Sequence, residues 1–213
     1  MRKIHGVGIN DANYELVRHE YKEGRRRQVW MCPFYARWRA MLGRCYSKQF
    51  LEKHPTYRDC LVCEEWLTFS NFKAWMEDQE WENMDLDKDF KMGGNKIYSA
   101  DTCIFLPQEI NKLITRNKEP NAKYPLGVKF NPNSKINPYS ARCSDGGSKA
   151  IHLGCFPTVQ EAHRAYLQKK FEICEDYILK YKDNPDIQMG LIRVRDKILT
   201  HLYNNTELTN FNT

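Results

Sequence analysis

The pattern of apolar positions predicts a first helix that begins at Pro33. Apolar side chains recur from there at steps of three and four residues, which places them on one face of an α-helix. Basic residues are interleaved with this stripe and are expected on the outer face. We interpret the stripe as core packing, with a base-stacking platform as the alternative. It consists of Phe34, Trp38, Met41 and Leu42.

A second aromatic stripe predicts another core helix at residues 64–75. Its inner face is formed by Trp66, Phe69, Phe72 and Trp75. These rings recur at helical spacing, and side chains this large are usually buried.

After residue 85 the pattern changes and predicts strand, turn, strand and helix in succession. The segments are residues 86–90, the turn Gly93-Gly94-Asn95, residues 96–98 with the apolar stretch 103–106, and a helix that Pro107 opens and that runs to 114. Residues 115–123 are polar and contain Pro120, so a domain boundary is expected here. We assign residues 119–123 as the linker.

Three strand-like runs follow the linker, at residues 124–130, 139–143 and 150–156. Turn-rich sequences separate them, which predicts an antiparallel sheet. Thr158 and Glu161 form a capping box, and the helix they open is expected to reach about Cys174 and to pack on the sheet. One more amphipathic helix is predicted at 187–202, before an Asn- and Thr-rich end that we expect to be frayed.

These elements predict an α+β fold with two domains. The first domain covers residues 1–118 and includes a basic N-terminal arm. The second covers residues 124–175, and residues 176–213 add the last helix and the tail.

The distribution of charge points to nucleic acid as the partner. The net charge is +6 and the sequence pI is about 8.8, with basic, acidic, basic and balanced quarters in chain order. Two basic zones around an acidic one suit a protein that grips phosphates at two places and keeps carboxylates between them. The run Arg25, Arg26 and Arg27 is a candidate contact to a DNA backbone. A simply solvated surface is the alternative for these charges.

Eight cysteines raise the question of a structural metal. Cys60 and Cys63 have the two-residue gap that lets two thiolates reach one zinc ion. Cys32 and Cys45 are the candidate second pair, with Cys103 as a substitute, although their spacing is not that of a zinc knuckle. The alternative is that the thiols are buried and carry no metal.

The sequence predicts an intracellular protein. Apolar runs are only a few residues long, too short to cross a bilayer, and the first residues are not followed by the apolar region of a signal peptide. We therefore expect a cytoplasmic location, that of the host cell if a phage encodes the chain, and no membrane partner.

Four motifs lie in order along the predicted sheet and helix. They are Tyr124-Pro-Leu-Gly127-Val128, Tyr139-Ser-Ala-Arg142, His152-Leu-Gly154-Cys-Phe156 and Glu161-Ala162-His-Arg-Ala165-Tyr166. This segment resembles the plant ethylene-response-factor (Apetala-type) DNA-binding domain, and phage homing endonucleases carry similar modules. The resemblance implies a three-stranded antiparallel sheet that enters the major groove and is packed on one helix. It makes Lys129, Arg142, Lys149 and His152 candidates to face DNA.

Arg142 is the first candidate for a base-edge contact, because its planar guanidinium can grip guanine with two hydrogen bonds. Lysines more often position a protein on the DNA backbone than read its sequence. The expected partner is double-stranded DNA.

A second set of motifs covers about residues 32–114. It comprises Trp38-Arg-Ala-Met-Leu-Gly-Arg44-Cys45-Tyr46, Pro55-Thr-Tyr57, Trp66-Leu-Thr-Phe69, Leu86-Asp87-Lys88-Asp89, Tyr98-Ser99 and Ile110-Asn111. This region resembles phage homing endonucleases of the HNH (His-Me finger) type. The resemblance implies a ββα finger with flanking helices.

The resemblance also implies a catalytic site. Asp87 and Asn111 match the positions that hold one divalent cation, Mg²⁺ or Mn²⁺. Lys88 stands where that family has the histidine that takes a proton from water. A lysine between two carboxylates should stay charged, so it would instead stabilise the negative charge of the phosphorane. The base would then be His54, His19 or Tyr98.

Three functions remain open from the sequence. The first is metal-dependent cleavage of DNA phosphodiester bonds. The second is a catalytically inactive DNA-binding regulator, or an inhibitor of a host nucleic-acid system. The third, which rests on the cysteines alone, is a zinc-stapled protein-interaction module.

Overall fold

The computed structural model describes residues 3–114, 123–147 and 150–211. Over these ranges the chain is a mixed α+β protein, as predicted. None of the helices in the described ranges combines the length and the apolar run that crossing a bilayer demands.

The helix predicted from Pro33 is confirmed. Trp38, Met41 and Leu42 are buried along it and Phe34 is half-buried. The elements up to residue 77 are β1 (Val17–Lys22), β2 (Arg25–Met31), α1 (Pro33–Tyr46), α2 (Lys48–Lys53), β3 (Leu61–Val62) and α3 (Phe69–Glu77), with 3-10 turns at Pro55–Tyr57 and Glu65–Leu67.

The predicted N-terminal arm contains a β-hairpin. Strands β1 and β2 pair antiparallel through a two-residue connection, Glu23-Gly24. Both residues have positive φ, +54° and +73°, as a type I′ turn requires, and the twist of that turn matches the twist of paired strands. The sequence prediction missed the hairpin because Glu-Gly is a weaker signal for this turn than Asn-Gly or Asp-Gly.

The helix predicted at 64–75 is broken at Thr68. This residue is extended, with φ −96° and ψ 128°, between the 3-10 turn and α3. The break allows pairing with a distant segment, since Ile9 donates its amide to Leu67 and accepts from Phe69. The prediction of one continuous helix was wrong here because this partner lies about sixty positions away in the sequence.

The predicted order of strand, turn, strand and helix is found, but the pairing is not that of neighbours. The elements are β4 (Met84–Asp87), β5 (Ile97–Tyr98), β6 (Ile104–Pro107) and α4 (Gln108–Ile114). Strand β4 pairs with β6, whereas β5 pairs in parallel with β3. Helix α4 follows β6 directly.

The three-stranded antiparallel sheet predicted after the linker is confirmed. Its strands are β7 (Val128–Phe130), β8 (Tyr139–Ser144) and β9 (Ala150–Phe156), in the order β7-β8-β9. Helix α5 (Val159–Lys180) packs against all three strands. Its first turn is capped by the Thr158 hydroxyl, which accepts from the Glu161 amide. The helix is longer than the predicted end near Cys174.

One glycine shows how closely α5 approaches the sheet. Gly127 precedes β7 with φ +78°, and a Cβ placed there would lie 2.1 Å from the Tyr166 ring. The glycine of the Tyr124–Val128 motif is therefore required both by its backbone conformation and by the packing of α5.

The last predicted helix is α6 (Pro185–Asn204), which packs on α5. The prediction of a frayed tail is wrong at Leu208. Its side chain is buried and its amide donates to the buried His163.

The chain divides into two compact units, and the division differs from the predicted domain boundary. Unit 1 comprises residues 1–82, 86–89 and 95–105; unit 2 comprises residues 83–85, 90–94 and 106–213. Helix α4 thus belongs to unit 2. Most of the predicted linker, 119–122, lies outside the described residues, as do its polar neighbours from 115.

Candidate nucleic-acid interface and nuclease-like segment

The outer face of the β7-β8-β9 sheet carries three of the predicted DNA-binding residues. Arg142 is exposed between the buried Ala141 and Cys143, which face α5. Strand alternation therefore puts Arg142 on the side away from the helix. Lys129 and His152 are exposed as well.

The strand register brings these residues together. Arg142 is the cross-strand partner of His152, and Lys129 is the partner of Ser140, two residues before Arg142 on β8. A bulge shifts the register between Ala141 and Arg142. We refer to Lys129, Arg142 and His152 as the basic face. Lys149, predicted to join it, lies outside the described residues.

Beside the sheet, three aromatic rings form a cluster that the sequence prediction did not single out. Phe130 and Tyr139 are cross-strand partners with ring centroids 5.4 Å apart, and Tyr124 lies 5.7 Å from Tyr139. The Lys123 ammonium is 5.7 Å from the Tyr124 ring. Strand alternation puts Phe130 and Tyr139 on the same side of the sheet as Ala141, the side that faces α5.

Asp87 lies at the end of β4 in unit 1. Its Oδ1 accepts a hydrogen bond from the Asp89 amide at 2.8 Å, which closes a tight turn around Lys88. The side chain is half-buried, and its charge acts on Arg44, whose pKa it helps to raise.

Lys88 is buried, at 6% exposure, and its ammonium is hydrogen-bonded. Its Nζ donates to Asp89 Oδ1 at 2.5 Å and to the Asn95 carbonyl at 2.8 Å. It also lies 5.9 Å from the centroids of the Tyr57 and Tyr98 rings.

The environment of Lys88 keeps it protonated. Burial by itself lowers the pKa of an ammonium group, but the hydrogen-bonded Asp89 carboxylate outweighs burial, and the net pKa of Lys88 is raised. Such a group cannot take a proton from water near neutral pH. Lys88 could only contribute positive charge.

The three alternative candidates for the general base, Tyr98, His54 and His19, lie in or next to different elements. Tyr98 is 1% exposed, and burial raises the pKa of its phenol, so it stays protonated. His54 is exposed and stacks on Phe50, with ring centroids 4.3 Å apart. His19 lies on the β1–β2 hairpin, where its Nδ1 contacts the Arg26 guanidinium.

Asn111 is on α4, in unit 2. Its side-chain amide donates to Asp85 Oδ2 at 2.9 Å, within the same unit. Asp85 carries no role in the sequence prediction, although it precedes Asp87 by two residues on the same strand.

All eight cysteines are free thiols. Burial raises the pKa of both Cys45 and Cys103 to about 12, and Cys32 is buried as well. Among the described residues, no three His, Cys, Asp or Glu side chains are grouped so that they could hold a metal ion. Zinc on Cys32, Cys45, Cys60 and Cys63 stays a prediction.

Two buried polar residues of α5 were not assigned a role from the sequence. Lys170 is 3% exposed and donates to the Leu113 and Ser144 carbonyls at 2.7 and 3.0 Å. His163 is also 3% exposed and bonds to Leu126 and Leu208. The sequence did contain a signal for their burial: they recur with Tyr166 and Cys174 at steps of three and four residues, on the face of α5 that is buried.

Comparisons with known protein families, with curated proteins and with solved structures return no match to this chain.

Proposed function

We propose that this protein binds double-stranded DNA through the basic face of its β7-β8-β9 sheet. The observation that carries the proposal is the segregation of the two sides of the sheet. Lys129, Arg142 and His152 are exposed on one side, while Ala141 and Cys143 are buried against α5 on the other.

The size of the sheet suits the major groove of DNA. Three strands at about 4.8 Å spacing are roughly 10 Å across, and the groove is about 12 Å wide. Helix α5 braces the sheet from behind. Arg142 stands in the middle strand, where its guanidinium would reach a guanine edge, while Lys129 on the edge strand β7 would contact phosphate.

The test uses a duplex selected from a randomised pool by the full-length protein, with binding followed by fluorescence anisotropy. Arg142→Ala should weaken binding by about 1–3 kcal/mol and relax the preference at one base pair. The matched control is Arg164→Ala, which removes the same charge from an exposed position on α5 and should change affinity little. Equal losses in the two variants would contradict the proposal.

Salt provides a second measurement. Affinity should fall steeply as salt rises, because each phosphate that the protein neutralises releases counterions. Lys129→Ala should lower the slope of log K against log salt by about one. A flat salt response of the wild-type protein would contradict DNA binding.

The second candidate function is metal-dependent cleavage of DNA. It is favoured by the order β4, β6 and α4, with Asp87 ending β4 and Asn111 on α4, the order that resemblance to HNH nucleases implies. Carboxylate oxygens suit Mg²⁺ or Mn²⁺, and an ion held by Asp87 would polarise the scissile phosphate. The buried, charged state of Lys88 argues for the alternative, a DNA-binding regulator or inhibitor without catalysis.

Incubating the protein with its selected duplex and Mg²⁺ or Mn²⁺ decides between the two. Cleavage that Asp87→Ala abolishes and that Asp101→Ala, an exposed carboxylate, leaves intact would establish the nuclease. Binding without cleavage under either metal would establish the regulator or inhibitor.

A further inference from the structure

The β1–β2 hairpin is a two-stranded ribbon that exposes both of its faces. Every residue from 18 to 30 is exposed. Only its base, Val17 and Met31, is half-buried. Because its residues are exposed, the ribbon contributes little to the core of unit 1, and its conformation calls for a functional explanation.

The register divides the ribbon into two different faces. Tyr21 is opposite Arg26, and His19 is opposite Gln28, so these four side chains share one face. The Arg26 guanidinium lies 3.1 Å from His19 Nδ1 on this face. The opposite face carries Glu20, Lys22, Arg25 and Arg27.

The first face lacks carboxylates and is rich in hydrogen-bond donors. Its members are His19, Tyr21, Arg26 and Gln28, and we call it the donor face. Arginine pairs with guanine through two hydrogen bonds, and glutamine pairs with adenine in the same way. Tyr21 is 78% exposed and offers an aromatic ring beside these two groups.

We propose that the donor face lies against base edges in the major groove of duplex DNA, with Arg26 and Gln28 as its sequence-reading residues. This inference rests on the proposed function, DNA binding, and adds a second reading element in unit 1 to the basic face in unit 2. Arg25 and Arg27 point away from the bases and supply general attraction to phosphate.

Size and charge both fit this partner. The major groove admits a two-stranded β-ribbon, and six residues in a strand span about 20 Å at roughly 3.3 Å each, enough to follow several base pairs. The ribbon has an excess of basic over acidic side chains, as a polyanion requires. The basic residues are Arg18, Lys22, Arg25, Arg26 and Arg27, against Glu20 and Glu23.

Arg26 and Arg27 are adjacent in sequence and lie on opposite faces of the ribbon, so their alanine variants compare the two faces directly. Arg26→Ala and Arg27→Ala remove the same charge one residue apart, and both positions are exposed. On the selected duplex, Arg26→Ala should weaken binding about 5- to 150-fold and relax the preference at one base pair. Arg27→Ala should weaken binding by only about 2- to 5-fold, to a similar extent on every duplex.

Methylation protection locates the contact in the groove. Dimethyl sulfate modifies guanine N7, which faces the major groove. The wild-type protein and Arg27→Ala should protect one guanine that Arg26→Ala leaves reactive. Gln28→Ala should change the preference at a neighbouring adenine.

Equal effects of Arg26→Ala and Arg27→Ala on affinity, preference and protection would overturn the proposal and leave the ribbon as a phosphate-binding arm. If neither variant changes affinity while Arg142→Ala still weakens binding, this inference is overturned and the proposed function stands. If the wild-type protein binds no duplex at all, the proposed function fails, and this inference fails with it.

Discussion

His163 joins three segments of unit 2 through its two ring nitrogens. Nδ1 lies 2.9 Å from the Leu126 carbonyl, and Nε2 lies 2.9 Å from the Leu208 amide. An amide N–H can only donate, so Nε2 accepts, and the proton of the neutral ring sits on Nδ1 and is donated to Leu126. The histidine thus ties the start of the sheet and the tail to α5.

We expect His163→Leu to lower the free energy of unfolding by roughly 2–4 kcal/mol, since it leaves a buried carbonyl and a buried amide unpaired. Urea denaturation measures the loss. His152→Leu, at an exposed site, should change stability by less than about 0.5 kcal/mol. Amide exchange at Leu208 should accelerate in His163→Leu. Unchanged protection there would show that His163 does not hold the tail.

Lys170 places a cation in the interior of unit 2, where it is 3% exposed. Burial lowers the pKa of its ammonium even though two carbonyl oxygens accept hydrogen bonds from it. Between this lowered folded-state pKa and the unfolded value near 10.5, the unfolded chain binds more protons than the folded one. Stability contributed at this site therefore rises with pH through that window.

A comparison of wild type with Lys170→Met isolates the pH-dependent contribution of Lys170 to stability. The difference in unfolding free energy, wild type minus variant, should grow in favour of the wild type as pH is raised towards 10.5. Urea titrations at a series of alkaline pH values give the slope. A constant difference, or a falling one, would contradict a lowered pKa for Lys170.

At the scale of elements, the β1–β2 hairpin depends on its turn. Glu23 and Gly24 both have positive φ, which glycine adopts freely and other residues adopt at a cost. The donor face exists only while this turn keeps the register of Tyr21 with Arg26.

Gly24→Val should weaken strand pairing by about 1–3 kcal/mol because a β-branched residue is strained at positive φ. Hydrogen exchange of the β1 and β2 amides should accelerate, while the amides of α1 keep their protection. Gly93→Val is the control, since Gly93 is also exposed but has no positive φ. Glu23→Asn should slow exchange in the hairpin, as asparagine favours this turn.

For the whole molecule, unit 2 begins before the predicted linker. Several contacts tie residues 90–94 and 106–114 to α5 and α6 within this unit. Arg193 donates to the Phe90 carbonyl, Gly190 packs against the Phe90 ring, and Lys180 pairs with Glu109 at 2.6 Å. The Leu113 carbonyl also accepts a hydrogen bond from the buried Lys170.

A fragment of residues 124–213 should therefore melt well below a fragment of residues 83–213. The shorter fragment removes the ring beside Gly190 and one of the two carbonyl acceptors of Lys170. It therefore leaves a cavity and a buried ammonium with one hydrogen bond fewer. Thermal unfolding followed by circular dichroism measures the difference. Equal melting temperatures would support the linker at 119–123 as the true boundary.

Elements with local signals were predictable from the sequence. Pro33 with its apolar stripe gave α1, and the Thr158–Glu161 box gave the start of α5, because the hydrogen bonds and periodicity involved lie within a few residues. The exposure of Arg142 between two buried neighbours also follows from strand alternation, once the strand itself is recognised.

Tertiary structure decided the features that depend on distant partners. The pairing of Ile9 with residues 67 and 69 breaks a predicted helix, and the carbonyl partners of Lys170 lie 57 and 26 residues away. Burial alone would lower the pKa of Lys88, and the hydrogen-bonded Asp89 carboxylate raises it, a partner that the sequence suggested only by adjacency. By itself the sequence determined which residues are basic, aromatic or acidic and where local elements begin. Long-range pairing decided which elements pack together and which polar groups are buried, because strand register and burial are set by contacts that no local pattern contains.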